Sequence, residues 1–213
     1  MKKGILFDLD GTLWDSSKEV ADSWMLALQD FPEIKPVTRE KIQSVMGKTM
    51  TEIADILFEG ETKERRMELM SRCMEVENKY IEEHGGQLLE GLEETLEILR
   101  KKYHLYIVSN CQTGYIEAFL AYHKLGHYFE DYESFGNTKK SKGENIRLVV
   151  ERNQLEQAVY VGDTQGDYEA AMFAGLPFIH AKTGYGTVEA EVSFVEKFAE
   201  LPGVVAKIMD DFI

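Results

Sequence analysis

Residues Lys3 to Thr12, KGILFDLDGT, decide the reading of the chain. Lys3 to Asp8 reads as a short, fully buried strand ending in two carboxylates, Asp8 and Asp10, with one leucine between them. Like charges that close repel, so the arrangement costs stability unless a positive group is meant to sit there. Gly11 lets the backbone fold tightly enough for N–H groups to face an anion.

Working outward, the chain from Ser16 to about Gly86 carries only helical patterns. Val20, Trp24 and Leu28 recur every four residues, with Ala21 and Met25 beside them. Thr38 is a good N-cap for a helix carrying Ile42, Val45 and Met46, which Gly47 interrupts. A short helix with Ile53, Ile56 and Leu57 follows. Thr62 then starts a long helix whose Met67, Met70, Met74, Glu77 and Ile81 lie near one another, the methionines reading as core.

After Gly86, strands and helices alternate. A helix with Leu92, Leu96, Leu99 and Tyr103 leads to the strand HLYIVS, and a helix with Ile116, Phe119 and Leu120 to a short stretch at Tyr132–Phe135. A helix with Ile146, Val149 and Val150 precedes the strand AVYVGD, and a helix through Ala170–Ala174 precedes PFIHA. The tail from Leu201 to Ile213 reads as helix, with Pro202 in its first turn. This pattern predicts an α/β fold, a doubly wound parallel sheet with helices on both faces. Residues 1–15 and 87–213 form its core, and 16–86 are a helical insertion.

The 213 residues carry a formal net charge of −14, which argues against nucleic acid or an anionic membrane as a partner. An anionic substrate must then be held by a metal ion or a few well-placed lysines. The two cysteines, Cys73 and Cys111, have no CxxC spacing, so the expected setting is a reducing cytoplasm. No apolar run approaches membrane-spanning length, and the N-terminus lacks a signal-peptide pattern. A monomer or weak homodimer is expected.

In an open parallel sheet, ligands bind beyond the carboxyl ends of the strands. Three such ends carry polar residues that the sheet does not need: Asp8 to Thr12, Ser109–Asn110, and Gly162 to Asp167. The segment Lys139–Lys140–Ser141–Lys142–Gly143 supplies a cation. Together they match what phosphoryl transfer through a carboxylate requires: an in-line nucleophile, a divalent ion, fixed donors and an acid/base. Magnesium prefers hard oxygen ligands, and Asp8 and Asp163 offer them from two strand ends.

DLDGT after a buried strand, a hydroxyl after the second strand, a later lysine and GDTxxD resemble the four motifs of the haloacid dehalogenase superfamily. Within it, the chain is similar to the phosphoglycolate phosphatase-like and beta-phosphoglucomutase-like branch. The resemblance implies that Asp8 is the nucleophile and that Asp10 is the acid/base, its carbonyl also binding Mg2+. It implies that Gly11, Thr12, Ser109 and Asn110 hold phosphoryl oxygens and that Lys142 stabilises charge on Asp8. It further implies that Asp163 ligates the metal and that Asp167 ligates it or orients the ligands. By the same resemblance residues 16–86 are expected to be a mobile cap, with hinges at Leu13–Ser16 and Gly85–Gln87.

An aspartate at position 10 fits phosphoester chemistry rather than dehalogenation. The implied activity is magnesium-dependent hydrolysis of a small phosphorylated metabolite. The alternatives are a sugar phosphomutase, a phospho-receiver and a silent binding protein. Two departures stand out: Lys142 is followed by Gly143 where proline is common, and Cys111 stands where glycine or lysine is common. Cys111 reads as a half-buried filler. Gly47–Lys48–Thr49 is the expected specificity loop, with Lys48 reaching the substrate.

Overall fold

The computed structural model describes residues 2–210. Its strands are β1 (Lys3–Phe7), β2 (Trp14–Asp15), β3 (Gln87–Leu88), β4 (His104–Ser109), β5 (Phe129–Ser134), β6 (Gln157–Gly162), β7 (Phe178–Ala181) and β8 (Ser193–Val195). Six of them form one parallel sheet in the order β5-β4-β1-β6-β7-β8. The short β2 and β3 pair antiparallel in a ribbon of their own.

Side chains alternate across each strand, so both sheet faces are apolar. Ile5, Phe7, Ile107, Val159 and Val161 enter one core, while Leu6, Tyr106, Val108 and Tyr160 enter the other. Burial on both faces is why these strands are nearly continuous apolar runs. The core helices are α5 (Leu92–Leu99), α6 (Tyr115–His123), α7 (Phe135–Thr138), α8 (Lys142–Arg152), α9 (Gln165–Ala174) and α10 (Leu201–Asp210). The tail helix is therefore seen as far as Asp210, and residues 211–213 lie outside the described residues.

The insertion between β2 and β3 consists of α1 (Ser17–Ala27), α2 (Arg39–Gln43), α3 (Met50–Leu57) and α4 (Lys63–His84). Leu69, Met70, Cys73, Glu77 and Ile81 form the buried face of α4, against α1 on one side and α6 on the other. Met67 lies off that stripe and is exposed.

Some helix ends differ from the sequence expectation. Thr38 does cap α2, but the helix stops at Gln43, and Val45 and Met46 lie in the turns beyond. The Ser44 hydroxyl donates to the Lys41 carbonyl, a local bond that competes with helix continuation. Likewise α1 ends before Leu28, α5 ends before Tyr103, and the strand expected near Tyr132 begins at Phe129. Among the described residues no helix is long and apolar enough to cross a membrane.

Candidate active site

The chain leaves β1 for β4 and β5 on one side, then returns to β6 on the other. The carboxyl ends of β1, β4 and β6 therefore flank one crevice. Asp8 follows β1, Ser109 ends β4, and Asp163 follows β6. All three are buried.

Lys142 opens α8, whose N-terminus is fixed by a reciprocal cap between Ser141 and Glu144. Its buried ammonium donates to Asp8 Oδ1 at 2.8 Å and to Asp167 Oδ1 at 2.5 Å. Burial alone would lower the lysine pKa, but the charges of Asp167 and Asp8 overcome it and hold the group well above its usual range. Lys139 and Lys140 stay exposed, Lys139 over the Phe135 ring.

Asp8 Oδ2 is buried and has no hydrogen-bond partner among the described residues. Burial, reinforced by the charge of Asp167, raises the Asp8 pKa well above the carboxylate range. The same two causes push Asp163 up to about 7. Oxygens of Asp8, Asp163 and Asp167 lie within 4.8 Å of one another. With all three ionised, the carboxylates outnumber the one ammonium by two negative charges in a buried space, which adds to the rise at Asp8 and Asp163. An orphaned carboxylate oxygen, a hard all-oxygen donor set and this charge surplus fit a divalent cation such as magnesium.

Asp163 is held from two sides: Oδ1 accepts the Thr12 hydroxyl at 3.4 Å and Oδ2 accepts the Tyr185 N–H at 2.7 Å. Gly11 has φ +81°, and a Cβ at Gly11 or Gly184 would overlap the Asp163 carboxylate. Gly11→Ala should therefore cost about 1–3 kcal/mol and displace Asp163. Thermal melts with and without Mg2+ check this, the expected result being a lower metal-free Tm and a smaller rise on adding metal. Asp167 caps α9: its Oδ2 accepts the Asp163 N–H, the Thr164 N–H and the Thr164 hydroxyl.

The Asp10 side chain turns away from this acidic group, toward the insertion. Its Oδ1 accepts the Trp14 indole N–H at 3.0 Å, the Ser16 hydroxyl at 2.7 Å and the Tyr115 hydroxyl at 3.0 Å. Burial raises its pKa although those donors act to lower it. The acidic cluster of Asp8, Asp163 and Asp167 thus does not include the Asp10 side chain.

The expected phosphoryl donors need correction. Gly11 N–H donates to the Trp14 carbonyl, Thr12 N–H to the Leu9 carbonyl, and the Thr12 hydroxyl to Asp163. These groups hold the turn and Asp163. The main-chain donors of Leu9, Asp10 and Asn110, by contrast, meet no acceptor among the described residues. The Asn110 amide faces the insertion, donating to the Gly47 carbonyl at 2.8 Å. Ser109 lines the cavity.

That cavity lies between core and insertion, with Asp8, Asp10 and Ser109 on one side and Trp24, Lys48 and Glu77 on the other. Lys48 is exposed and has no ion-pair partner among the described residues, while Thr49 caps α3 together with Glu52. Cys111 also lines it, and burial pushes its thiol well above the range of a reactive thiolate.

Sequence reasoning missed Trp14, Ser16 and Tyr115 around Asp10, and Tyr185 beside Asp163. It also missed Glu77, although an acid inside an otherwise apolar helical stripe was the available signal. Glu77 accepts the Trp24 indole N–H, and burial pushes its carboxyl up to about 7. Its ordinary value is 4.5, so the folded state holds an extra proton between those limits and loses stability as pH rises through them. Glu77→Gln lacks this loss. In urea denaturation its stability relative to the native chain should grow by about 3 kcal/mol from pH 4.5 to above 7 and stay level below that window.

Residues 5–181 match the family described as haloacid dehalogenase-like hydrolase. The chain belongs to that family. It is 27% identical over 214 residues to the phosphoglycolate phosphatase of Aquifex aeolicus, covering 98% of this chain and 97% of that one. It is 29% identical over 199 residues to the phosphoglycolate phosphatase of Aliivibrio fischeri, covering 86% and 85% respectively. The fold matches a haloacid dehalogenase-like family hydrolase from Streptococcus pneumoniae with a TM-score of 0.78 at 22% identity, over 96% of this chain and 98% of that one. The haloacid dehalogenase-like chain is an enzyme of the phosphatase kind.

Proposed function

We propose that the protein hydrolyses a small phosphorylated metabolite, with magnesium, through a phosphate ester on Asp8. The supporting observation is the orphaned Asp8 Oδ2, in a cavity-lining residue whose other oxygen is fixed by Lys142. An Asp8 oxygen attacks phosphorus as the bond to the leaving oxygen breaks. The Asp10 carboxyl, with its raised pKa, gives that oxygen a proton. Asp10 then takes a proton from water, which attacks phosphorus and frees Asp8 and inorganic phosphate.

A magnesium ion at Asp8, Asp163 and the Asp10 main chain would neutralise charge on the phosphoryl oxygens. Lys142 favours the ionised form of Asp8 against burial and holds it aimed, and the N–H groups of Leu9, Asp10 and Asn110 are the donors suited to the phosphoryl group.

Residues 16–86 act as the cap over a core made of 1–15 and 87–213. Both crossings run through the β2–β3 ribbon, so they would swing together. Closure excludes water from the reacting centre. The two buried free cysteines suit a reducing cytoplasm.

The test is phosphate release from a panel of small phosphomonoesters with Mg2+ and with a chelator. Release that needs Mg2+ is expected, together with a metal-dependent rise in Tm. An isomerised sugar phosphate with no free phosphate would instead favour a mutase.

A further inference from the structure

The cavity has a second polar end that the proposed chemistry leaves unused. Opposite the aspartates its wall is apolar, made by Val20, Trp24, Ile42 and Ile53, and one carboxyl group, Glu77 of α4, stands within it. Glu77 is 3% exposed. Two further acceptors lie in the same lining: Gln112 Oε1 and Asn110 Oδ1, both buried and without a donor. Their amide N–H groups are already engaged, Gln112 with Asn78 at 3.0 Å and with Glu77, and Asn110 with Gly47 at 2.8 Å. The residues lining the cavity thus include a carboxyl, which takes the Trp24 indole N–H and the Gln112 amide, and two amide oxygens that no donor meets among the described residues.

We infer that Glu77, Gln112 and Asn110 form the subsite for the non-phosphate end of the substrate, and that this end is a hydrogen-bond donor without negative charge, a hydroxyl or an ammonium. The inference rests on the phosphatase reading above. A buried acceptor left unmet costs about 1–3 kcal/mol, which a donor on the ligand relieves. A carboxylate would bring only further acceptors to the two amide oxygens, and a like charge beside Glu77 wherever that group is ionised.

The competing group is Lys48, an ammonium on the same cavity with no ion-pair partner among the described residues. It is exposed and also borders the cleft toward Thr164, Gln165 and Tyr185. Solvent screens a charge there, whereas a donor that reaches the buried Glu77 meets little screening. The raised pKa of Glu77 has the same meaning: a donor arriving from the ligand replaces the water that burial removed.

Size sets a second limit. The free space in the cavity is about 30 Å³, which suits a small head group. Phosphoglycolate, which names the two relatives above, ends in a carboxylate.

The experiment measures kcat and KM for O-phosphoethanolamine, glycerol 3-phosphate and phosphoglycolate, with p-nitrophenyl phosphate reporting the chemistry alone. The native enzyme should favour at least one donor-ended ester over phosphoglycolate by about tenfold or more in kcat/KM. In Glu77→Gln that ratio should fall about tenfold, chiefly through KM. Gln112→Leu should shift it the same way, which keeps the test sound if one variant folds poorly. Preference for the amine or for the hydroxyl ester identifies the donor, and either supports the inference. Faster hydrolysis of phosphoglycolate, or a ratio unchanged in both variants, overturns it while the phosphatase reading stands. No release from p-nitrophenyl phosphate by the native enzyme overturns that reading, and the subsite falls with it.

Discussion

Asp8→Asn should abolish phosphate release, by at least about four orders of magnitude in kcat, without unfolding the protein. The amide keeps an oxygen for Lys142, which donates to Asp8 Oδ1 at 2.8 Å. It removes one of three buried carboxylates that repel one another. The metal-free Tm should therefore hold or rise, whereas most changes to a buried polar group lower it. The Tm gain from Mg2+ should shrink in the same variant, because one of the ligand charges has gone. Phosphate release followed beside thermal melts reads both effects. Turnover above about 1% of native would move the nucleophile elsewhere and remove the basis of the mechanism.

Lys142→Ala should have the largest effect on stability. The lysine side chain is 4% exposed, and its partners Asp8 and Asp167 are 2% and 0% exposed. Removing one partner of a buried ion pair leaves charge uncompensated, at a cost of about 3–5 kcal/mol. For a chain of this length that is a fall of roughly 6–20 °C in metal-free Tm. The fall should shrink as pH drops below about 7, because Asp163 and Asp8, both raised by burial, then take up protons. Added Mg2+ should restore part of the stability but not the catalysis, which loses roughly two to three orders of magnitude. A variant that melts like the native chain at every pH would mean that the acids do not depend on this lysine.

The β1 run and the alternation after Gly86 were legible because strands buried on both faces must be apolar throughout. Asp8, Asp163 and Lys142 were legible because they stand at strand ends or a helix start, where the sheet itself has no use for a charge. Thr12 and Asn110 were recognised by type, but their directions were not. The Thr12 hydroxyl faces Asp163 across 151 residues of sequence, and the Asn110 amide faces Gly47 across 63. Such contacts depend on register and packing, which no local pattern encodes.

From its sequence alone, the protein is determined to have a parallel sheet with a helical insertion, acidic strand ends and one serviceable lysine. Those follow from periodicity and from the cost of placing like charges together. Tertiary structure alone decided that Tyr115, Trp14 and Ser16 hold Asp10, and that Glu77 of the insertion looks into the same cavity as Asp8. The physical reason is that a hydrogen bond depends on distance and direction within about 3 Å, whereas sequence patterns report only which face of an element is dry.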